Sequence, residues 1–309
     1  MDIDPIRYLE QHYQITLKHV SNDEHAGPCP WCGGDDRFRV WETGNYWCRP
    51  GLGHCGREGW VDELTGEKLS DHDRRLLALE AKQHQLERKQ AEQERRLTAL
   101  ERLQQARPDL RYYRNLNEAA MEYWISEGIY DDAIEKHHLG YCDACPTYRE
   151  SPSYTIPVYG YDTKLVNVRH RLAQPGGTGK YRPECAGLGT SLYHAEALRE
   201  PLARVLVVEG EKKSVVLSQH GFTSVGLMGK SFRWQRQWFD WFRAHGEIVI
   251  ALDPDALDNA LRLGELFANE GFDDVKVARF PVKPDDAINL YNAGAGDIED
   301  IIGNARRIG

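Results

Sequence analysis

The chain has 309 residues, 41% hydrophobic and 28% charged, with a net charge of −9; this is a soluble globular composition long enough for two or three domains. No run approaches the ~18 apolar residues of a membrane span, and the acidic start Met1-Asp2-Ile3-Asp4 is no signal peptide, so a cytoplasmic protein without a membrane partner is expected. The acidic balance argues against a polycation that coats DNA regardless of sequence, and seven cysteines in such a compartment point to metal or structural thiols rather than disulfides.

Asp4-Pro5 opens a short helix, with Asp as cap and Pro at the first position, and Ile6, Leu9 and Tyr13 recur at helical spacing. Cys29-Pro30-Trp31-Cys32 follows, then Cys48 after fifteen residues and Cys55 after six more, a set that can give tetrahedral zinc its four thiolates. The wide second pair leaves His54 as a competitor for Cys55. Between the pairs, Arg37-Phe38-Arg39-Val40-Trp41 alternates like a strand, Gly44-Asn45 can turn, and Tyr46-Trp47 begins the return strand. This is a zinc-ribbon layout, expected over residues 1–64. Zinc would fold a module with little core of its own. Beyond that, Arg37, Arg39, Trp41, Tyr46, Trp47 and Arg49 interleave cations with aromatics, the combination that grips unstacked bases and their phosphates. The run Cys-Pro-Trp-Cys-Gly-Gly-Asp-Asp-Arg-Phe-Arg is similar to the zinc ribbon of phage and mobile-element primases. That resemblance implies a role in selecting the template site where a primer starts.

From Asp71 to Gln105 there is no Gly or Pro, which predicts a helix that at ~1.5 Å per residue reaches roughly 50 Å. Leu79, Leu86 and Leu100 share a heptad spacing that Gln93 interrupts, so coiled-coil pairing is weakly encoded and a solvated spacer, residues 65–107, is expected. A monomer is expected, with a coiled-coil dimer as the alternative.

Pro108 ends that helix and a segment of about residues 108–200 begins, with helical pattern from Ala119 to His138. Strand-like runs follow at Tyr154–Tyr159 and Lys164–Leu172. Arg169 and Arg171 are two apart and on a strand share a face. With Lys180 and Arg182, beyond a glycine-rich loop, they form a local basic groove suited to phosphates, although a solvated strand face would read the same way. Cys142 and Cys145 have metal-ligand spacing, but Cys185 is the only other cysteine nearby, and they read as free thiols.

The remainder, 201–309, alternates strand and helix, which predicts a parallel, right-handed sheet. Leu206–Val208 and Ile248–Leu252 are unbroken apolar runs, the form of strands buried on both faces, and each ends in carboxylates: Glu209, then Asp253 and Asp255. A third acidic group, Asp285 and Asp286, follows the strand expected at 275–280. Ligands of open α/β sheets bind beyond the carboxyl ends of the strands, so these acids can converge. Three acid-tipped strands suit Mg2+ or Mn2+, which take a few carboxylate oxygens and fill their shell from water and phosphates. Lys230, in another strand-end loop, could meet a triphosphate. Lys212 and Lys213 start a helix, where the dipole disfavours cations, which hints at an anionic partner or at solvent exposure. Ser231–His245 reads as a helix rich in Trp and Phe.

Glu209-Gly210-Glu211-Lys212-Lys213-Ser214, Asp253-x-Asp255 and Lys283-Pro284-Asp285-Asp286 together resemble the TOPRIM signature of DnaG-type and phage primases and of topoisomerases. The resemblance implies acid-base or metal chemistry for the glutamate and magnesium binding by the aspartates. The last motif is compressed relative to the family's usual Lys-Asp-Pro-Asp form, which leaves Asp285 and Asp286 as alternatives. The preceding segment is similar to the other half of the primase core: a Glu-Gly-Ile helix, Leu139-Gly140-Tyr141, an Arg-x-Arg-Leu strand, a Lys-Tyr element and Leu192-Tyr193. Arg169, Arg171 and Lys180 would then contact template or nucleotide; a lysine common near the Leu-Tyr step is here Leu188.

The expected architecture is a zinc ribbon, a long helix, an α+β subdomain and a Rossmann-like TOPRIM sheet. The expected activity is primer synthesis on single-stranded DNA from nucleoside triphosphates, with structural Zn2+, catalytic Mg2+ or Mn2+, and a replicative helicase as a further partner. The alternatives are a nucleic-acid binding module like the RecR mediators, which also combine four cysteines with a TOPRIM fold, and a TOPRIM nuclease.

Overall fold

The computed structural model describes residues 4–51, 53–65, 71–148, 151–173, 180–189, 191–228, 234–291 and 295–308. The chain divides into two compact units, Met1–Arg95 and Arg96–Gly309.

In the first unit, α1 (Pro5–Tyr13) starts at Asp4, whose carboxylate accepts the Ile6 and Arg7 N–H groups at 3.0 and 3.1 Å. Strands β1 (Lys18–Ser21), β2 (Glu24–Cys29), β3 (Gly33–Trp41), β4 (Asn45–Cys48) and β5 (Glu58–Trp60) form an antiparallel meander in chain order, followed by α2 (Val61–Thr65). Alternation sends Phe38, Val40, Tyr46 and Cys48 into a small core with Leu9 and Leu17, and Trp31 packs edge-on to Phe38. Tyr46 therefore does not belong to the exposed aromatic face expected for it: it pairs with Val40, and that row points inward. Arg39 and Trp47 form the neighbouring row and point outward, with Arg39 in an ion pair to Glu24 at 3.1 Å.

The long helix α3 spans Asp71–Ala106. Leu79 and Leu86 on it are exposed, as a solvated helix requires, whereas Leu103 is buried in the second unit among Tyr112, Cys142, Cys145, Leu165 and Val168.

The second unit continues with α4 (Pro108–Arg114), α5 (Glu118–Ser126) and α6 (Asp131–Lys136), then β6 (Gly140–Cys145), β7 (Ser151–Tyr159), β8 (Leu165–Leu172) and β9 (Tyr181–Pro183), a four-stranded antiparallel sheet in chain order. A second sheet is built from β10 (Arg204–Glu209), α7 (Glu211–Gln219), β11 (Ser224–Leu227), α8 (Trp238–Phe242), β12 (Glu247–Ala251), α9 (Leu257–Asn269), β13 (Val275–Val277), α10 (Pro284–Tyr291), α11 (Ala295–Gly303) and β14 (Arg306–Ile308). Its order is β11-β10-β12-β13-β14. The first three pairings are parallel, but β14 runs antiparallel to β13, a departure from the wholly parallel sheet expected. One intervening helix returns the chain to run parallel; two, α10 and α11, bring it back the opposite way.

Alternate residues of the central strands serve two cores. Leu206, Val208, Val249 and Ala251 pack with α7, α10 and α11 and with Ile156 and Val158 of β7, so one core is continuous between the two sheets. Val205, Val207, Ile248 and Ile250 face the other way, onto α8 and α9. Burial on both faces explains why these strands read as unbroken apolar runs. The aromatic segment expected as a helix over 231–245 is helical at Trp238–Phe242, with Trp238, Phe239 and Phe242 buried; residues 229–233 lie outside those described. Among the described residues no helix is long and apolar enough to cross a membrane.

Candidate active site

The cleft forms where β10 ends. Glu209 is its last residue, Gly210 turns with φ +93°, and Glu211 starts α7. The neighbouring β11 approaches so closely that a Cβ on Gly226 would lie 2.5 Å from the Gly210 carbonyl oxygen, so both positions need glycine. This strand-to-helix junction, the start of α10 and one end of β8 and β9 enclose about 330 Å³. The walls are Glu209, Gly210, Glu211, Lys212 and Lys213 from the junction, Lys283, Asp285 and Asp286 at α10, and Arg169, Lys180 and Tyr181 from the other sheet.

Seven residues singled out from the sequence thus meet in one cleft: Glu209, Asp285, Asp286, Arg169, Lys180, Lys212 and Lys213. Asp253 follows β12 and is buried just outside the lining, its Oδ1 3.0 Å from the Nζ of Lys213, which does line the cleft. Asp255 is exposed and does not line it. Arg171 shares the face of Arg169 but donates to Glu127 Oε1 at 2.9 Å. Arg182 faces away, because it neighbours Tyr181 on β9 and alternation turns it to the opposite side, where it donates to the Thr147 carbonyl at 2.7 Å and covers the Tyr148 ring. Lys230 lies outside the described residues.

The cations at the start of α7 have their anionic partners within the chain. Lys212 Nζ lies 2.8 Å from Glu127 Oε2 and 2.9 Å from Asp285 Oδ2. Arg169 Nε lies 3.1 Å from Glu211 Oε1. Sequence reasoning assigned no ionic role to Glu127 or Glu211, although both fall within the motifs it quoted, and Tyr181 and Lys283 likewise join the lining. Burial alone would raise the Glu127 pKa, but hydrogen bonds from Arg171 and Lys212 overcome it and hold the carboxyl down at about 2. A folded-state pKa below the unfolded one contributes stability that is present above about 4.5 and is lost as pH falls toward about 2. We expect the Glu127→Gln protein to be less stable than the parent at neutral pH by about 1–2 kcal/mol, allowing for solvent screening, with the difference shrinking over that window. Urea titrations at several pH values check this; a difference independent of pH would refute it.

Asp285 carries a further signature. Its Oδ2 is engaged by Lys212, but its Oδ1 is buried and accepts no hydrogen bond among the described residues, an arrangement that suits a hard cation.

In the first unit, the sulfurs of Cys29, Cys32, Cys48 and Cys55 lie within 4.8 Å of one another, with Cys29 to Cys55 and Cys32 to Cys48 both at 3.6 Å. Thiolates ~2.3 Å from a tetrahedral zinc stand about 3.8 Å apart, so this set fits structural zinc, with Cys55 rather than His54 completing it. Burial pushes the Cys29 thiol up to about 12, while the Cys55 backbone N–H and the neighbouring thiols bring Cys32 down to about 7. Outside the core, Arg37, Arg39, Trp41 and Trp47 are all partly exposed.

No protein-family model matches this sequence, and no curated protein does. Solved structures do match. The Aquifex aeolicus primase, comprising zinc-binding and RNA polymerase domains, aligns over 99% of this chain and 84% of its own, at 19% identity and a TM-score of 0.55. A DnaG primase catalytic domain bound to ssDNA aligns over 69% of this chain and 83% of its own, at 18% identity and a TM-score of 0.55. A DNA primase domain from Pseudomonas aeruginosa aligns over 67% and 79%, at 18% and 0.54. At these identities the likeness is one of fold: the chain has the architecture of DnaG primase cores together with a ribbon-like four-cysteine module.

Proposed function

We propose that this protein is a primase, a template-directed polymerase that makes short RNA primers on single-stranded DNA. The observation that carries the reading is the cleft at the end of β10, which brings Glu209, Asp285 and Asp286 together with Arg169, Lys180 and Lys283. Nucleotidyl transfer needs both signs of charge at one spot: carboxylates for the metal and cations for the triphosphate and template backbone.

Asp285, Asp286 and Glu209, with Asp253 behind Lys213, would hold Mg2+ or Mn2+, which when bound would activate the attacking hydroxyl and offset charge on the phosphates. Glu209, at the strand tip, would accept a proton or share a metal. Arg169, Lys180 and Lys283 would contact phosphates, and Arg169, already held by Glu211, would do so with little loss of side-chain freedom. Zinc on the four cysteines folds the small module, whose outward row of Arg37, Arg39, Trp41 and Trp47 would take unstacked template bases. The β10-to-β14 sheet would then be a TOPRIM unit, with single-stranded DNA and nucleoside triphosphates as partners.

Incubation with single-stranded DNA of mixed sequence, magnesium or manganese and labelled ribonucleoside triphosphates tests it. New short RNA is the expected product. Degraded template without synthesis would mark a nuclease, and a bound but unaltered template would mark a binding module; either result overturns the proposal.

A further inference from the structure

Cys142 and Cys145 lack enough cysteine neighbours for a metal site, but the sheet supplies a ligand of another kind. Thr155 of β7 pairs with Gly140 of β6 on one side and His170 of β8 on the other, while Ser153 pairs with Cys142. Because every second residue of a strand shares a face, His170 and Cys142 project to the same side. A bulge between Cys142 and Cys145 lets the second thiol reach that side too. The ligand atoms of these three residues lie within 4.8 Å of one another, and all three side chains are buried. Tetrahedral zinc shells with thiolate and imidazole ligands have edges of about 3.4–3.8 Å, within that reach.

The surroundings are those of a built site. His170 Nε2 lies 2.5 Å from Glu184 Oε2, and the Tyr112 hydroxyl donates to the same oxygen at 3.0 Å. A carboxylate on one ring nitrogen fixes the tautomer and directs the other at the metal, the usual support of a metal-binding histidine. Here the other nitrogen, Nδ1, is 3.1 Å from Cys145 Sγ and 3.0 Å from Ser153 Oγ.

We propose that Cys142, Cys145 and His170 bind a second, structural zinc ion that fastens β6 to β8 across β7, with an oxygen, the Ser153 hydroxyl or water, as fourth ligand. Two thiolates and an imidazole favour zinc over magnesium or calcium. The site is separate from the cleft, none of whose lining residues it uses, and it stands whether or not the protein makes primers.

Metal analysis of the purified full-length chain after dialysis tests the proposal. The parent should hold about two zinc ions, and the Cys29→Ser/Cys32→Ser protein about one. Loaded with cobalt, that double variant should show a tetrahedral visible band whose thiolate charge-transfer intensity is about half that of a four-thiolate site, and further replacement of His170 by Gln should abolish it. A parent with a single zinc, or a Cys29→Ser/Cys32→Ser protein with none, would refute the site, as would a second zinc that survives Cys142→Ser/Cys145→Ser. If that last variant fails to fold, the two stoichiometries decide alone.

Discussion

Replacing Asp285 with asparagine is expected to reduce primer synthesis at least about a hundredfold while leaving single-stranded DNA binding within about twofold of the parent. The magnitude is that of removing one preorganised electrostatic group from a site where charge develops. Asparagine keeps the shape of the side chain and removes its charge, so the proposed cation would lose a charged ligand without a cavity being opened. The fold should survive. Lys212, which Asp285 holds at 2.9 Å, retains Glu127 at 2.8 Å and is not left as an unpaired buried charge. DNA affinity should persist because, on the proposed reading, it would rest on Arg169, Lys180 and Lys283 and on the basic and aromatic row of the first unit. Asp286→Asn in the same cleft is the informative partner. Asp286 is half-buried whereas Asp285 is buried, so a smaller loss is expected for it. Single-round synthesis rates, thermal melts and filter binding on the three proteins measure this. Synthesis within about twofold of the parent by the stable Asp285→Asn protein would remove Asp285 from the site.

The strands that carry the acids were legible because burial on both faces leaves no polar position between Val205 and Val208 or between Ile248 and Leu252. The long helix was legible because nothing from Asp71 to Gln105 can break one. The short strand β6 was not. Gly140-Tyr-Cys-Asp-Ala-Cys has one aromatic, no β-branched residue and a bulge, and it is ordered by pairing with β7. The site divides the same way. Glu209 ends β10 and announces its place locally, whereas Asp285 and Asp286 open α10, well beyond the end of β13, and were grouped with it through the motif they share. Arg182 could not be placed, because one residue of register on a three-residue strand decides which face it takes. Partners that meet only through tertiary packing, such as Glu127 with Lys212 or His170 with Cys145, leave no spacing signal.

The second large effect is expected at Cys48. Its side chain is fully buried at the end of β4, opposite Phe38 and 3.6 Å from Cys32 Sγ. The core around it contains eight buried residues, two of them cysteine ligands, too few to offset the ordering of a module this small. Zinc on the four cysteines would supply the difference, and apparent binding energies of about 10–16 kcal/mol in small zinc modules are large enough to do so. Cys48→Ser removes one thiolate from that balance, so the protein should lose about one zinc ion and the first unit should unfold. Trypsin should then cut rapidly at Arg37, Arg39 and Arg57, while residues 96–309, with cores of their own, stay resistant. The functional consequence separates two roles for the module. If it serves template selection, de novo initiation should fall at least about tenfold, while extension of a primer already annealed to its template changes by less than about twofold. On the proposed reading, extension would rely on the cleft alone, with the primer end and template held by pairing and by Arg169, Lys180 and Lys283. Equal loss of initiation and extension would show that the module is needed for chemistry itself, and an unchanged initiation rate in an unfolded, zinc-depleted protein would leave it no part in priming.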